Sequence, residues 1–281
     1  MDGMTANIDV KPLAGALGAE IDGLDLTALD AAGFAALYRA FLDHQVLVVR
    51  GQNLNPETYL AIARMFGAPV PYPFAKGIEG HPEITVIAKE AHQTSNFGGM
   101  WHSDTTYKPD PPKATLLYCI ETPPVGGDTI FACQCKAYDA LSPGLKQLLA
   151  SLKGVSSSGK NAAALRGTHL ATGTMQSKAA GDVLTAAHPA VRTHPENERD
   201  ALFLNRSHTT HFEGWSQSES AALLDYLFQH QIQPEFTARV RWQPGTLVIW
   251  DNRSSQHCAI NDYDGHRREM WRITLEGVRP V

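Results

Sequence analysis

The carboxyl-terminal part of the chain contains short apolar stretches that follow one another closely, and this spacing limits the folds available to it. Residues 236–242, 247–250 and 270–275 are rich in β-branched and aromatic side chains, and a Pro244-Gly245 turn separates the first two. Closely spaced strands with turn residues between them are typical of antiparallel sandwiches and barrels. We therefore predict an antiparallel β core.

Helices are predicted around this core. Residues 28–43 place their apolar side chains on one helical face. Asn55-Pro56 supplies an N-cap and a proline at the first helical position, and Gly67 ends that helix. Residues 216–219 have the capping-box pattern and precede another apolar helical face. The predicted fold class is mainly β with flanking helices (α+β).

The chain of 281 residues shows no internal repeat and no clean domain boundary. Its hydrophobic content of 43% is sufficient for a sizeable core. Residues 155–200 are rich in Ser, Ala, Gly and Thr and have little periodicity. We predict a single domain over residues 1–281, with a mobile insertion or lid at about 155–200.

Charge and sorting signals exclude several functional classes. A net charge of −5 without clustered Lys and Arg makes nucleic acid an unsuitable partner. No signal-peptide pattern or bilayer-length apolar run is present, which predicts a cytoplasmic protein without a membrane partner. The four cysteines match neither a zinc knuckle nor a disulfide scaffold, so they are predicted to be reduced and mostly buried.

His102 and Asp104 are the first candidate metal ligands. Residues two apart in an extended segment point to the same side, so His-x-Asp presents an imidazole nitrogen next to a carboxylate oxygen. Two histidines and one carboxylate on one face of an octahedron leave three positions open, as in non-haem iron oxygenases. His257 is the candidate third ligand.

Two arginines follow His257 in an apolar stretch. Arg268 lies eleven residues past His257 (268 − 257) and Arg272 fifteen (272 − 257). Guanidinium groups bind carboxylates through two parallel hydrogen bonds. A metal face together with a fixed cation indicates a site for a chelating diacid.

These motifs resemble those of a known family, the taurine and 2,4-dichlorophenoxyacetate (TauD/TfdA) dioxygenases, which use Fe(II) and 2-oxoglutarate. The matching stretches occur in the family's order, and weaker likeness covers nearly the whole chain. The stretches are Trp101-His102-Ser103-Asp104, residues 123–129 (PPVGGDT), Trp250-Asp251-Asn252-Arg253 through His257, and residues 267–272 (RREMWR).

The resemblance implies a double-stranded β-helix (jelly-roll) core and an enzyme that is commonly dimeric or tetrameric. It implies Fe(II) on His102, Asp104 and His257, with 2-oxoglutarate as cosubstrate and O2 as oxidant. It assigns Thr129 and Arg268 to 2-oxoglutarate. The side chains that it places near the prime substrate are Arg272, Asn96, Tyr72 and His208.

The reaction implied by the resemblance is hydroxylation with release of succinate and CO2. The expected substrate is a small sulfonate or carboxylate, such as an aryloxyalkanoate, and hydroxylation next to sulfur or oxygen would cleave the C–S or C–O bond. Tyr72 replaces the family's usual pocket histidine, and His208 stands where taurine enzymes have an aromatic ring. These two departures argue against taurine itself.

Three alternatives remain open from the sequence. Two histidines and an aspartate could hold zinc in a hydrolase. A jelly roll could also be a non-catalytic binding protein. Residues 154–161 (GVSSSGKN) nearly match a phosphate-binding loop, which would indicate a nucleotide-binding enzyme, but Asn161 replaces the required hydroxyl residue.

Overall fold

The computed structural model of the protein describes residues 8–72, 77–160 and 183–281. Within these ranges the helices are α1 (Ala31–His44), α2 (Pro56–Phe66), α3 (Gln134–Asp139), α4 (Pro143–Leu149) and α5 (Gln217–His230). The strands are β1 (Asp9–Pro12), β2 (Ala19–Asp22), β3 (Val46–Val49), β4 (Pro69–Val70), β5 (Gly77–Ile78), β6 (His81–Lys89), β7 (Ala114–Glu121), β8 (Thr129–Cys133), β9 (Lys153–Ser157), β10 (Thr185–Pro189), β11 (Val191–Thr193), β12 (Asp200–Leu202), β13 (Thr209–Phe212), β14 (Thr237–Val240), β15 (Leu247–Asp251), β16 (Ser255–Ala259) and β17 (Arg268–Leu275).

The largest sheet has the strand order β1-β2-β3-β15-β7-β17-β6-β5, and β4 also pairs with β17. Its pairs are antiparallel except β2 with β3. A second, three-stranded sheet has the order β14-β8-β16. The predicted antiparallel β core is therefore present.

The large sheet is covered on both faces. One face packs against α1 and α2 in an apolar cluster that includes Phe41, Phe66 and Leu116. The other face packs against the second sheet through side chains such as Val248 of β15 and Phe131 of β8. Successive strand residues point to opposite faces, so Arg268, Met270 and Arg272 of β17 share the buried face that looks toward the second sheet.

The predicted helices are confirmed. Asp30 caps α1 by accepting from the Gly33 amide. Asn55 and Thr58 form a capping box at the start of α2, and Ser216 begins α5 in the same way. In the described ranges no helix has the length and apolar character needed to cross a bilayer. All four cysteines are free, and three are buried.

Two sequence features meet in residues 153–200. Residues 153–157 form β9, which pairs with β10 and β13. The first four residues of the stretch 154–161, which nearly matches a phosphate-binding loop, are therefore part of a strand. The flanks of the predicted lid contain β9, β10, β11 and β12. Residues 161–182, where the rest of that predicted lid falls, lie outside the described residues.

Candidate active site

The structure brings the three predicted metal ligands together. His102 forms a backbone bridge with His257 of β16, through His102 N–H to the His257 carbonyl (3.0 Å) and His257 N–H to the His102 carbonyl (2.8 Å). Asp104 Oδ1 is 3.7 Å from His102 Nε2 and 3.9 Å from His257 Nε2. One ligand atom from each residue lies within 4.8 Å of the others.

Neighbouring groups orient the two imidazoles. His102 Nδ1 lies 2.6 Å from the Met100 carbonyl oxygen, which acts as its acceptor and leaves Nε2 for a metal. The His257 ring packs against the indole of Trp250, with ring centroids 4.6 Å apart, and against Phe131. Hydrogen bonding thus fixes the first ring, and aromatic packing fixes the second.

Burial keeps both imidazoles neutral, because it lowers the pKa of His102 and lowers that of His257 well below its ordinary value. Burial alone would raise the pKa of Asp104, but the positive charge of Arg272 and a hydrogen bond from Thr115 outweigh it and lower this pKa. Neutral imidazoles and an ionised carboxylate are the forms that bind metals.

Arg272 lies beside the metal ligands. Its Nη2 is 2.7 Å from Asp104 Oδ1, and both side chains are buried. The guanidinium carbon is 5.0 Å from the ring centroid of Tyr72 and 5.9 Å from that of Phe97. Arg272 is therefore a cation enclosed by aromatic rings next to the candidate metal position.

Arg268 and Thr129 meet at Trp242. The Arg268 guanidinium carbon lies 5.5 Å from the Trp242 ring, and Nε donates to the Gly127 carbonyl at 3.1 Å. The Trp242 indole N–H donates to Thr129 Oγ1 at 3.0 Å. Because that oxygen already accepts a hydrogen bond, the Thr129 hydroxyl proton is available for a ligand.

Arg268 also has unused hydrogen-bonding capacity. Its Nη2 is buried without a hydrogen-bond partner in the described part of the chain, and no described carboxylate lies within ion-pair distance of the side chain. Burial lowers its pKa from the ordinary arginine value. A buried guanidinium with a free donor, beside a free hydroxyl proton, matches the carboxylate of a ligand.

The remaining predicted substrate residues lie in two places. His208 stands near His102, with ring centroids 6.3 Å apart, and burial lowers its pKa to about 3. Asn96 donates to the Ala259 carbonyl at 3.2 Å. It also hydrogen-bonds with Tyr263, and the nearby positive charge of Arg268 acts to lower the pKa of that tyrosine. Asn96 is thus anchored on the Arg268 side of the site.

Several residues that contribute to this site were not predicted. Trp242 orients Thr129, and Thr115 with Asn252 contacts Asp104. No signal within a single sequence distinguishes such a threonine or asparagine from ordinary strand-end residues, because each acts through a partner that is distant along the chain.

The donor set fits a first-row transition metal. Two neutral imidazole nitrogens and one carboxylate oxygen converge at a buried position, which matches the ligand set of non-haem iron enzymes. Asp104 Oδ1 already faces a positive charge there, that of Arg272. A divalent cation bound there would compete with this guanidinium for Oδ1, and the ionised Asp104 carboxylate supplies the negative charge that attracts it.

Comparison with known proteins gives consistent results. The family profile described as "Taurine catabolism dioxygenase TauD, TfdA family" matches residues 9–274. An α-ketoglutarate-dependent sulfate ester dioxygenase of Pseudomonas putida is 34% identical over 286 residues, covering 98% of this chain and 91% of the relative. An (S)-phenoxypropionate/α-ketoglutarate dioxygenase of Sphingobium herbicidovorans is 32% identical, covering 98% and 96%.

Solved structures show the same fold. The crystal structure of a taurine dioxygenase from Burkholderia xenovorans superimposes with a TM-score of 0.83 at 34% identity, covering 98% of this chain and 91% of the other. The predicted jelly-roll core with flanking helices is confirmed by this likeness and by the two facing sheets.

Proposed function

The chain belongs to the TauD/TfdA family and is a 2-oxoglutarate-dependent dioxygenase, and from this premise we propose that it hydroxylates a small organic anion at an Fe(II) centre. The observation that carries the proposal is the convergence of His102, Asp104 and His257 beside two buried arginines, Arg268 and Arg272. Iron bound with 2-oxoglutarate and O2 supplies oxidative decarboxylation to succinate and CO2, coupled to hydroxylation of a C–H bond.

The three proposed metal ligands have the protonation states that metal binding requires. His102 and His257 offer neutral nitrogens because burial disfavours their protonated forms. Asp104 offers an anionic oxygen because neighbouring positive charge outweighs its burial. The chain thus presents a site that is ready for a divalent cation without a prior change of protonation.

Arg268 and Thr129 are proposed to hold the distal carboxylate of 2-oxoglutarate. The free Nη2 of Arg268 would donate to one carboxylate oxygen, and the Thr129 hydroxyl, oriented by Trp242, would donate as well. Charge-assisted hydrogen bonds of this kind are strongest where water is excluded, and Arg268 is only 6% exposed.

Arg272 is proposed to bind the anionic group of the prime substrate, within the ring contacts of Tyr72 and Phe97. His208 is neutral and buried near His102, and its Nδ1 already hydrogen-bonds with the Thr106 hydroxyl at 3.0 Å, so Nε2 is the ring nitrogen left to contact the substrate without adding charge. Asn96 is proposed to line the pocket on the Arg268 side.

The substrate class follows from these groups and from the relatives. A sulfate ester dioxygenase, a phenoxypropionate dioxygenase and a taurine dioxygenase are all named for substrates with an anionic group. We propose a small sulfonate, sulfate ester or carboxylate such as an aryloxyalkanoate. Hydroxylation of a carbon bonded to oxygen or sulfur gives an unstable product, whose collapse cleaves the C–O or C–S bond.

A substrate screen tests this proposal. The purified protein, supplied with Fe(II), 2-oxoglutarate and O2, is incubated with panels of alkyl sulfonates, alkyl sulfates, aryloxyalkanoates and matched neutral alcohols, and succinate is quantified. We expect succinate release to rise above the substrate-free level only with anionic compounds. Stimulation by the neutral compounds at equal level would refute the assignment of Arg272.

We further propose a single domain with a lid at about residues 155–200, a cytoplasmic location and a dimeric or tetrameric state. Limited proteolysis addresses the first two, and sedimentation velocity addresses the last.

A further inference from the structure

The two carboxylate oxygens of Asp104 have different surroundings. Oδ1 faces His102 Nε2 and His257 Nε2 at 3.7 and 3.9 Å. Oδ2 accepts a hydrogen bond of 2.6 Å from the Thr115 hydroxyl. Thr115 is fully buried near the start of β7. Oδ1 thus faces the candidate metal position, where Arg272 Nη2 also pairs with it at 2.7 Å, while Oδ2 is held by the Thr115 hydroxyl.

The direction of this hydrogen bond is set by a chain of donors that starts at Trp250. The indole N–H can only donate, and it donates to Asn252 Oδ1 at 3.0 Å. The amide nitrogen of Asn252 must then face Thr115, and it donates to Thr115 Oγ1 at 2.9 Å. Because Oγ1 accepts there, the single hydroxyl proton of Thr115 points to Asp104.

Strand pairing and burial hold this chain in place. Thr115 of β7 is the register partner of Trp250 of β15, and Asn252 follows directly after that strand. Asn252 Oδ1 also lies 3.4 Å from the Asp104 backbone N–H, which donates to it. All four residues are almost completely buried, so water cannot replace the lost partners if the chain is broken.

We propose that Thr115 and Asn252 are positioning residues that make Asp104 a ligand through Oδ1 alone. Rotation of the carboxylate to bind a metal through both oxygens would leave the buried Thr115 proton without an acceptor. A carboxylate that binds through one oxygen occupies one coordination position rather than two, which keeps room for exogenous ligands. The role rests on the proposed metal centre and acts on the metal through the Asp104 carboxylate.

The test compares Thr115→Val with Thr115→Ser, using Co(II) as a spectroscopic probe of the metal site. Valine has nearly the same shape as threonine but no hydroxyl, whereas serine keeps the hydroxyl and loses only a methyl group. Loss of a group that orients a metal ligand typically weakens metal binding by about 10- to 100-fold. We expect that loss for the valine variant, and an affinity within about 3-fold of wild type for the serine variant.

Two further readouts separate positioning from general stability. The thermal midpoint of the metal-free protein reports folding alone, so a purely structural role would lower it without changing the Co(II) dissociation constant. The visible absorption of the Co(II) protein reports coordination, and we expect a changed spectrum in Thr115→Val and the wild-type spectrum in Thr115→Ser.

Each outcome decides the question. A folded Thr115→Val variant with wild-type Co(II) affinity and spectrum would overturn the proposal, and so would equal weakening in both variants. If Thr115→Val does not fold, Asn252→Ala tests the same chain, with Co(II) binding expected to weaken about 5-fold or more, and unchanged binding overturning the proposal. If the wild-type protein itself binds no Co(II), the metal centre fails first and the positioning role fails with it.

Discussion

Replacement of Arg268 by methionine should separate cosubstrate binding from protein stability. Methionine keeps much of the length and volume of the side chain but removes the guanidinium. The structure shows Nε donating to the Gly127 carbonyl and Nη2 buried without a partner in the described ranges. The lost groups are therefore mainly those proposed to serve 2-oxoglutarate.

The size of the effect follows from burial. Removing one partner of a buried, hydrogen-bonded charge pair costs about 2–5 kcal/mol. This corresponds to a dissociation constant that is roughly 30-fold to several thousand-fold larger. Thr129 would remain as a single hydroxyl donor, so we expect a loss of about 100-fold or more. Arg268→Lys, which keeps the charge without the two-pronged geometry, should give a smaller loss.

The metal-free variant should be nearly as stable as the wild type. Arg268 forms no ion pair with a described carboxylate, so the change breaks one hydrogen bond, worth about 1 kcal/mol, and replaces the cation–π contact with Trp242, worth about 0.5–1 kcal/mol, by an apolar one. Removal of a buried charge offsets part of that cost. Anaerobic calorimetric titration of the Fe(II)-loaded protein with 2-oxoglutarate gives the dissociation constant, and urea unfolding gives the stability. A wild-type dissociation constant in Arg268→Met would refute the assignment.

Three other substitutions test other parts of the structure. Asp104→Ala should weaken Co(II) binding beyond 100-fold while leaving the circular dichroism spectrum unchanged, and retained binding in equilibrium dialysis would contradict the ligand set. Arg272→Met should destabilise the metal-free protein by about 3 kcal/mol, because it leaves Asp104 buried without its ion pair. In urea unfolding, added Co(II) should raise the unfolding free energy of this variant more than that of wild type, and an equal increase in both proteins would contradict this reasoning. Asp251 has a lowered pKa, since Arg253 and His194 outweigh the effect of its burial; its contribution to stability is therefore complete above the ordinary carboxyl pKa of about 4 and is lost as pH falls toward the lower folded-state value. Wild type should consequently lose more unfolding free energy than Asp251→Asn between pH 5 and pH 3, and parallel losses would be the contrary result.

Local signals explain which elements the sequence could predict. The start and end of α2 depend on Asn55, Pro56 and Gly67, all of which act within one turn of the helix. The same holds for the capping box of α5 at Ser216. Caps of this kind depend on neighbouring residues only, so a single sequence suffices to place them.

The shorter strands could not be placed in this way. β8 and β16 each have five residues, and β16 carries polar Ser255, Gln256 and His257 rather than an alternating apolar pattern. Their pairing with each other brings His257 to its position, and that pairing joins segments more than a hundred residues apart. Strand formation here depends on tertiary contacts rather than on local propensity.

In the candidate site, too, some residues could be predicted from the sequence and others depend on tertiary contacts. His102, Asp104 and His257 were predicted from their chemistry and from family resemblance, and the structure brings them together. Thr115 and Asn252 were not predicted, because a threonine in a strand and an asparagine after one have many ordinary roles. Only the distances from Thr115 to Asp104 and from Asn252 to Thr115 identify their part in the site.

Anaerobic titration of the metal-free protein with Fe(II) and then 2-oxoglutarate tests the central claim most directly. A keto acid that chelates Fe(II) produces a weak visible charge-transfer band, which neither component gives alone. We predict that this band appears with wild-type protein, saturates at one 2-oxoglutarate per chain and is absent in Asp104→Ala. A folded, Fe(II)-loaded wild-type protein that shows no band at saturating 2-oxoglutarate would contradict the proposed Fe(II) and 2-oxoglutarate centre.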